Sequence, residues 1–193
     1  TIRQGWLGRL GLSLHACQGQ RQLGLLLTAE PVVRGGAAAI ALGDGERWSL
    51  RPITLDSSAY GFTCERQGAS VTWIERDAVE PVEPASPDEP AAIRGEHRVV
   101  RLACGQSGCV RSEGAVVLER HHRGSRYLVG SLDEAVVLLW RSRLGDVRMK
   151  LGPLGELATL PTVSLLDDEA HGGFDWEGTG VDLLAREGNG LLL

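Results

Sequence analysis

Short apolar runs separated by turn residues constrain the fold of this chain more than any other feature. Eleven such runs, each five to eight residues long, alternate with stretches that contain Gly, Pro, Asp or Gln. Runs of that length are typical of β-strands and are too short for core helices. They are RLGLSLHA, QLGLLLT, AAAIAL, RWSLRPIT, YGFTC, SVTWIE, HRVVRLAC, AVVLER, RYLVG, VRMKL and TVSLL. The sequence therefore predicts a mainly β fold: short antiparallel strands in sandwich-like or barrel-like modules, with at most one or two short helices.

Two local patterns refine this prediction. GDGERW places an Asp-Gly pair between two apolar runs, and Asp-Gly is a preferred hairpin turn. Residues 131–145 carry conflicting signals. Ser131 and Glu134 have the capping-box spacing of a helix start, whereas Ala135–Trp140 is apolar on every side, as in a buried strand. We predict a strand here.

Proline and acidic residues mark a boundary in the middle of the chain. Four of the eight prolines fall within ERDAVEPVEPASPDEP, residues 75–90, interleaved with Glu and Asp. Proline removes backbone donors and like charges repel, so such a segment favours an extended, solvated conformation. We predict a linker or long loop at 75–92, between an N-terminal β module at 1–74 and a C-terminal β module at 93–193.

The cysteines and the hydropathy bear on location. No apolar run reaches the roughly 20 residues that span a bilayer, and the N-terminal residues have no signal-peptide pattern. We therefore predict a cytoplasmic protein without membrane insertion, free or at the cytoplasmic face of a membrane complex.

No CxxC pair occurs, so the cysteines are expected to be small buried hydrophobes in a reducing compartment. A disulfide within CGQSGC is the alternative if the chain is exported. The cysteines are Cys17, Cys64, Cys104 and Cys109.

Charge is distributed unevenly along the chain. Residues 91–150 hold eleven bases and six acids, whereas residues 151–193 hold one Arg and eight acids, within a net charge of −5. An acidic total argues against nucleic acid as a partner and favours contacts between basic and acidic protein segments. A basic turn in ERHHRGSR is the candidate partner-binding site, and the acidic residues near 167–177 are its expected counterpart. The turn contains Arg120, His121, His122, Arg123 and Arg126.

Three patterns that suggest chemistry are weak. Ser107 in CGQSGC, with His15 and Asp56, has the residue types of a serine-protease triad. His15, however, has scarcely one strand before it, where that fold needs several. The acidic stretch LLDDEAHGGFDWEG has one histidine and matches no calcium loop. We therefore predict no catalytic residues, no metal and no cofactor; a hydrolase with Ser107 as nucleophile is the unlikely alternative.

The leucine-rich C-terminal part resembles a known module. AVVLLWRSRLGDVRMKLGPLGELATLPTVSLLDD, followed by VDLLAREGNGLLL, is similar to the surface-presentation-of-antigens (SpoA) module of cytoplasmic-ring proteins in flagellar and type III secretion systems. The matching positions are Leu144, Gly145, Met149, Leu151, Leu154, Leu157, Leu160 and Val181 to Leu184. The family's usual Gly-Asp is replaced by Pro161-Thr162.

The resemblance implies a non-enzymatic scaffold that binds copies of itself and other secretion proteins. Leu154 and Leu157 would then pack the module and join the basic turn as partner-binding residues. A structural protein of a phage tail, virion or injection machine is the alternative, because it would also be rich in glycine and β-strand without a catalytic site.

Overall fold

The chain is described here by a computed structural model, which covers residues 5–7, 12–19, 22–29, 36–55, 60–82, 92–121, 127–132, 134–142, 146–166, 184–187 and 190–192. Nearly all of this part is β-strand, with one short 3₁₀ turn. Every described strand pairing is antiparallel and joins strands that are consecutive in the chain. The predicted mainly β fold class is confirmed.

The first sheet contains five strands in chain order. Its strands are β1 (Gly5–Leu7), β2 (Leu12–Gln18), β3 (Leu23–Ala29), β4 (Gly36–Gly43) and β5 (Trp48–Leu55). The Asp-Gly turn joins β4 to β5 as predicted. Asp44 accepts hydrogen bonds from the backbone of Glu46 and Arg47 at 3.0 and 2.9 Å, and Gly45 takes a φ of 99° that favours glycine.

A central sheet and a third sheet have four strands each. The central sheet consists of β6 (Tyr60–Glu65), β7 (Gly68–Val82), β8 (Ala92–Gly105) and β9 (Gly108–His121). The third consists of β10 (Tyr127–Leu132), β11 (Ala135–Arg141), β12 (Val147–Pro153) and β13 (Val163–Leu166), with a 3₁₀ turn at Leu154–Glu156. A separate hairpin joins β14 (Leu184–Glu187) to β15 (Gly190–Leu192). The predicted strand at Ala135–Trp140 is confirmed as β11.

The central sheet is covered by another sheet on each face over part of its length. Side chains alternate across a strand, so neighbours such as Trp73 and Ile74 point to opposite sides. Trp73 belongs to a core cluster with Leu26 and Ile40 of the first sheet. Ile74 belongs to a second cluster with Leu138 of the third sheet. The three sheets therefore form three stacked layers, with one core in each of the two interfaces between them, and a smaller cluster around Val137 and Leu139 lies on the other face of the third sheet.

Hydroxyl groups occupy one narrow point between the central and third sheets. Ser131 Oγ lies 3.0 Å from Ser70 Oγ and 2.8 Å from Thr72 Oγ1, and all three residues are buried. A Cβ on Gly61 would collide with the carbonyl oxygen of Val129, so the backbones of β6 and β10 approach each other closely here. Small polar side chains that satisfy one another fit where larger apolar ones would not.

The predicted linker or loop does not begin at residue 75, although the backbone of residues 75–82 is extended as expected. These residues form the second half of β7 and pair with β8 as far as Val82 opposite Ala92. Residues 83–91 lie outside the described part. Strands β7 and β8 thus join the two predicted modules in one sheet, and the division of the chain into domains stays a prediction.

The prediction of unbonded cysteines is also wrong. Cys17 in β2 forms a disulfide with Cys64 in β6, which ties the first sheet to the central one. Cys104 and Cys109 form a second disulfide across the β8–β9 turn, where they are direct partners in register. Gly24 leaves room for the first bond, since a Cβ there would lie 2.9 Å from the sulfur of Cys17.

Candidate protein-interaction surface

The predicted basic turn lies at the end of β9 and mostly beyond the described residues. Arg120 and His121 are the last residues of β9. His122, Arg123 and Arg126 fall outside the described part, as does the acidic segment 167–177. The expected contact between these two segments stays a prediction.

Leu154 and Leu157 lie in the interior of the chain. They are 8% and 0% exposed, in the core cluster between the central and third sheets. The buried ammonium of Lys150 donates hydrogen bonds to the carbonyl oxygens of Leu157 and Leu160 at 2.9 and 2.8 Å, which holds the segment against β12. This burial supports the predicted packing role; binding of a partner by Leu154 and Leu157 stays a prediction. Leu151, in contrast, is 39% exposed.

The residues of the hydrolase alternative do not form a described site. Ser107 is exposed in the β8–β9 turn. His15, in β2, has its Nε2 atom 2.7 Å from the hydroxyl of Tyr60. Asp56 lies outside the described residues. Within the part of the chain that the structure covers, no three His, Cys, Asp or Glu side chains are placed to hold a metal ion.

A ring of ion pairs crosses the central sheet beyond the edge of the first sheet. Glu75 and Glu113 alternate with Arg98 and Arg111, with nitrogen–oxygen distances of 2.7 to 3.7 Å. The hydrogen bond to Glu113 raises the pKa of the Arg111 guanidinium above its usual value. The indole of Trp73 donates to Glu75 at 3.0 Å, and Arg111 lies 5.5 Å above the indole ring.

The two Glu and two Arg of this ring cancel each other's charge, so the ring attracts a charged partner only weakly. Arg98, Arg111 and Glu113 are each more than 40% exposed, and ion pairs at such positions contribute little to stability. Glu75 is the best shielded member, at 14%. The ring covers the indole of Trp73, so its role is structural: it shields a core side chain from solvent.

The outer face of the first sheet is the strongest candidate for binding. The strand registers place one set of side chains against the central sheet and the other set outward. We call the outward set on β2 to β5 the apolar face. Its large members are Leu14, Leu23, Leu25, Leu27, Trp48 and Leu50, and between them lie Ala37, Ala39 and Ala41.

Trp48 and Leu50 dominate this face. They are 48% and 65% exposed, and Leu23 beside them is 39% exposed. Trp48 stands opposite Gly43 in register, and its indole lies over that glycine, where a Cβ would meet the ring at 2.5 Å. The indole therefore lies flat along the sheet surface. Tryptophan is among the residues most often found at the centre of protein interfaces.

No charged residue occupies an outward position of β3, β4 or β5 between Leu23 and Thr54 where side chains are described. A sheet with one solvated face normally alternates apolar and polar residues, and this sheet does not. The sequence signal was the continuous run QLGLLLT followed by AAAIAL, which provides apolar residues for both faces. Our sequence interpretation recognised these runs as strands but did not consider their second face.

Comparison of the chain with known protein families, with curated proteins and with solved structures gave no significant match. Among the described residues, no helix has the length and apolar character needed to cross a membrane.

Proposed function

We propose that this chain is a non-enzymatic structural protein that assembles with other proteins through the apolar face. The observation that carries the proposal is the exposure of Trp48 and Leu50 on a sheet face without described charges. Contiguous apolar surface of this kind is costly to leave in water, and in stable proteins it usually marks an interaction site. The face is the surface of a sheet, which suits another protein surface better than a small ligand.

The disulfides favour an assembly outside the reducing cytoplasm. Disulfides persist in oxidising compartments and are rare in the cytosol, and all four cysteines of this chain are bonded. A cytoplasmic secretion ring, which the resemblance implies, is less compatible with this chemistry. An exposed component of a secretion or injection apparatus, or of a virion, agrees with both the disulfides and the apolar face.

The test compares two charge substitutions at similarly exposed apolar residues. Leu50→Asp places a carboxylate in the apolar face, whereas Val110→Asp places one on β9, at a residue that is 70% exposed. Tagged versions of both variants and of the unmodified chain are expressed in the source cells, and retained proteins are identified by mass spectrometry. We expect proteins retained by the unmodified chain to be lost with Leu50→Asp and kept with Val110→Asp. The same retained proteins for all three would refute the proposal.

A further inference from the structure

We propose that the apolar face is occupied by a second copy of this chain, with the two first sheets packed face to face. This inference rests on the proposed function and specifies its partner. In an isologous dimer the same patch serves both subunits, so the patch must complement itself. A face of aliphatic and aromatic side chains meets that condition, because apolar side chains complement one another, whereas each charged group would need an opposite charge at the matching position of the patch.

Electrostatics favours this face for self-association. Each copy carries a net charge of −5, so two copies repel each other overall and a contact between them is favoured where neither side brings charge. The outward positions of β3, β4 and β5 bring no described charge into the contact. At the rim, the β4–β5 turn carries Asp44, Glu46 and Arg47. Two acids against one base make this rim unsuited to an anionic membrane surface, which attracts basic clusters.

The size of the face matches the smallest stable dimers. Four adjacent strands about 4.8 Å apart and about 25 Å long present a projected area of roughly 450–500 Å². Two copies would therefore bury about 1,000 Å² in total, the lower limit for a specific interface. Sheets packed in this way lie about 10 Å apart. Trp48 and Leu50 of each copy would lie in the contact and contribute most of its affinity.

Analytical ultracentrifugation of the purified, oxidised full chain tests this arrangement over about 1–100 µM. We expect a species of twice the 20.7 kDa monomer mass, which persists in about 0.5 M NaCl because an uncharged contact is not screened. Leu50→Asp should weaken the dimer at least about tenfold, since each copy would bury an unpaired carboxylate. Val110→Asp should leave it unchanged, and near-ultraviolet circular dichroism checks that both variants are folded.

A monomer at all concentrations, or an unchanged dimer with Leu50→Asp, would overturn the inference. A dimer that dissociates in salt would also overturn it, because that result indicates a charged contact. If the chain is monomeric and still retains a different protein through Leu50, this inference fails and the proposed function stands. If Leu50→Asp alters neither self-association nor protein retention, both fail.

Discussion

Lys150 shows how one side chain fixes the leucine-rich segment after β12. The residue is 7% exposed, and its ammonium donates to the carbonyl oxygens of Leu157 and Leu160. Burial lowers the pKa of this ammonium below its usual value. Among described residues its hydrogen-bond partners are carbonyl oxygens, not a carboxylate. These carbonyls lie at and just after the 3₁₀ turn, and the Lys150 ammonium on β12 is their donor. The segment therefore packs back against the third sheet.

The burial of Leu157 leads to a stability prediction. Replacing Leu157 with alanine removes a side chain that is 0% exposed, so the free energy of unfolding should fall by about 2–5 kcal/mol. Leu151→Ala is the matched control: this leucine is 39% exposed, and its loss should cost less than about 1 kcal/mol. Urea unfolding followed by tryptophan fluorescence measures both. Equal midpoints for the two variants would contradict the burial of Leu157.

At the level of strands, the sequence predicted local structure well. Runs such as SVTWIE and AVVLLW became strands because a short apolar run bounded by turn residues has few other ways to bury its side chains. The hairpin at Asp44 was predictable because its turn chemistry is local. The apolar face was not predicted, because the periodicity of a single strand does not show which face of its sheet is covered by another layer.

The connector was mispredicted because the residues that stabilise it lie on the next strand and not within the segment itself. Among the described residues, β7 pairs with β6 only as far as Trp73, so Pro81 lies where β7 has no described partner on that side and a missing N–H there costs no described ladder hydrogen bond. A carboxylate oxygen of Glu75 lies 3.4 Å from a guanidinium nitrogen of Arg98 on β8. A pattern of like charges within one segment gave no sign of opposite charges on the strand that pairs with it.

The bond between Cys17 and Cys64 was missed because its cysteines are distant in sequence, and the two disulfides lead to a prediction at the level of elements. The bond between Cys17 and Cys64 closes a sequence separation of 47 residues, whereas that between Cys104 and Cys109 closes one of 5. In the chain-entropy account, the longer loop constrains the unfolded chain more. Its loss should cost about 4 kcal/mol, against about 2 kcal/mol for the shorter loop.

Two double variants measure this difference. One carries Cys17→Ser with Cys64→Ser, and the other carries Cys104→Ser with Cys109→Ser. In denaturant unfolding without reductant, the variant that lacks Cys17 and Cys64 should be the less stable of the two. With a reductant, the unmodified chain should become less stable than either variant. If reductant leaves the unmodified chain unchanged, the disulfides are absent in solution, and the argument for an oxidising compartment fails with them.

At the scale of the whole molecule, the central sheet holds the layers together. Val99 and Val100 are adjacent in β8, yet Val99 packs towards the third sheet and Val100 towards the first. Strands β7 and β8 thus contribute to both of these cores, and they come from opposite sides of the predicted boundary. A cut between these strands would break the chain while leaving the sheet and both cores in place.

This arrangement predicts that the cleaved protein stays associated. We would replace residues 84–90 with a specific protease site and cleave the folded chain. The two pieces should co-elute in size-exclusion chromatography, because β7 and β8 remain paired and Trp73 and Ile74 remain buried among residues of the other piece. They should separate only in denaturant, and the uncleaved variant controls for the replacement itself. Two folded pieces that elute separately without denaturant would show instead that the chain consists of independent modules joined by a linker, as the proline and acid pattern first indicated.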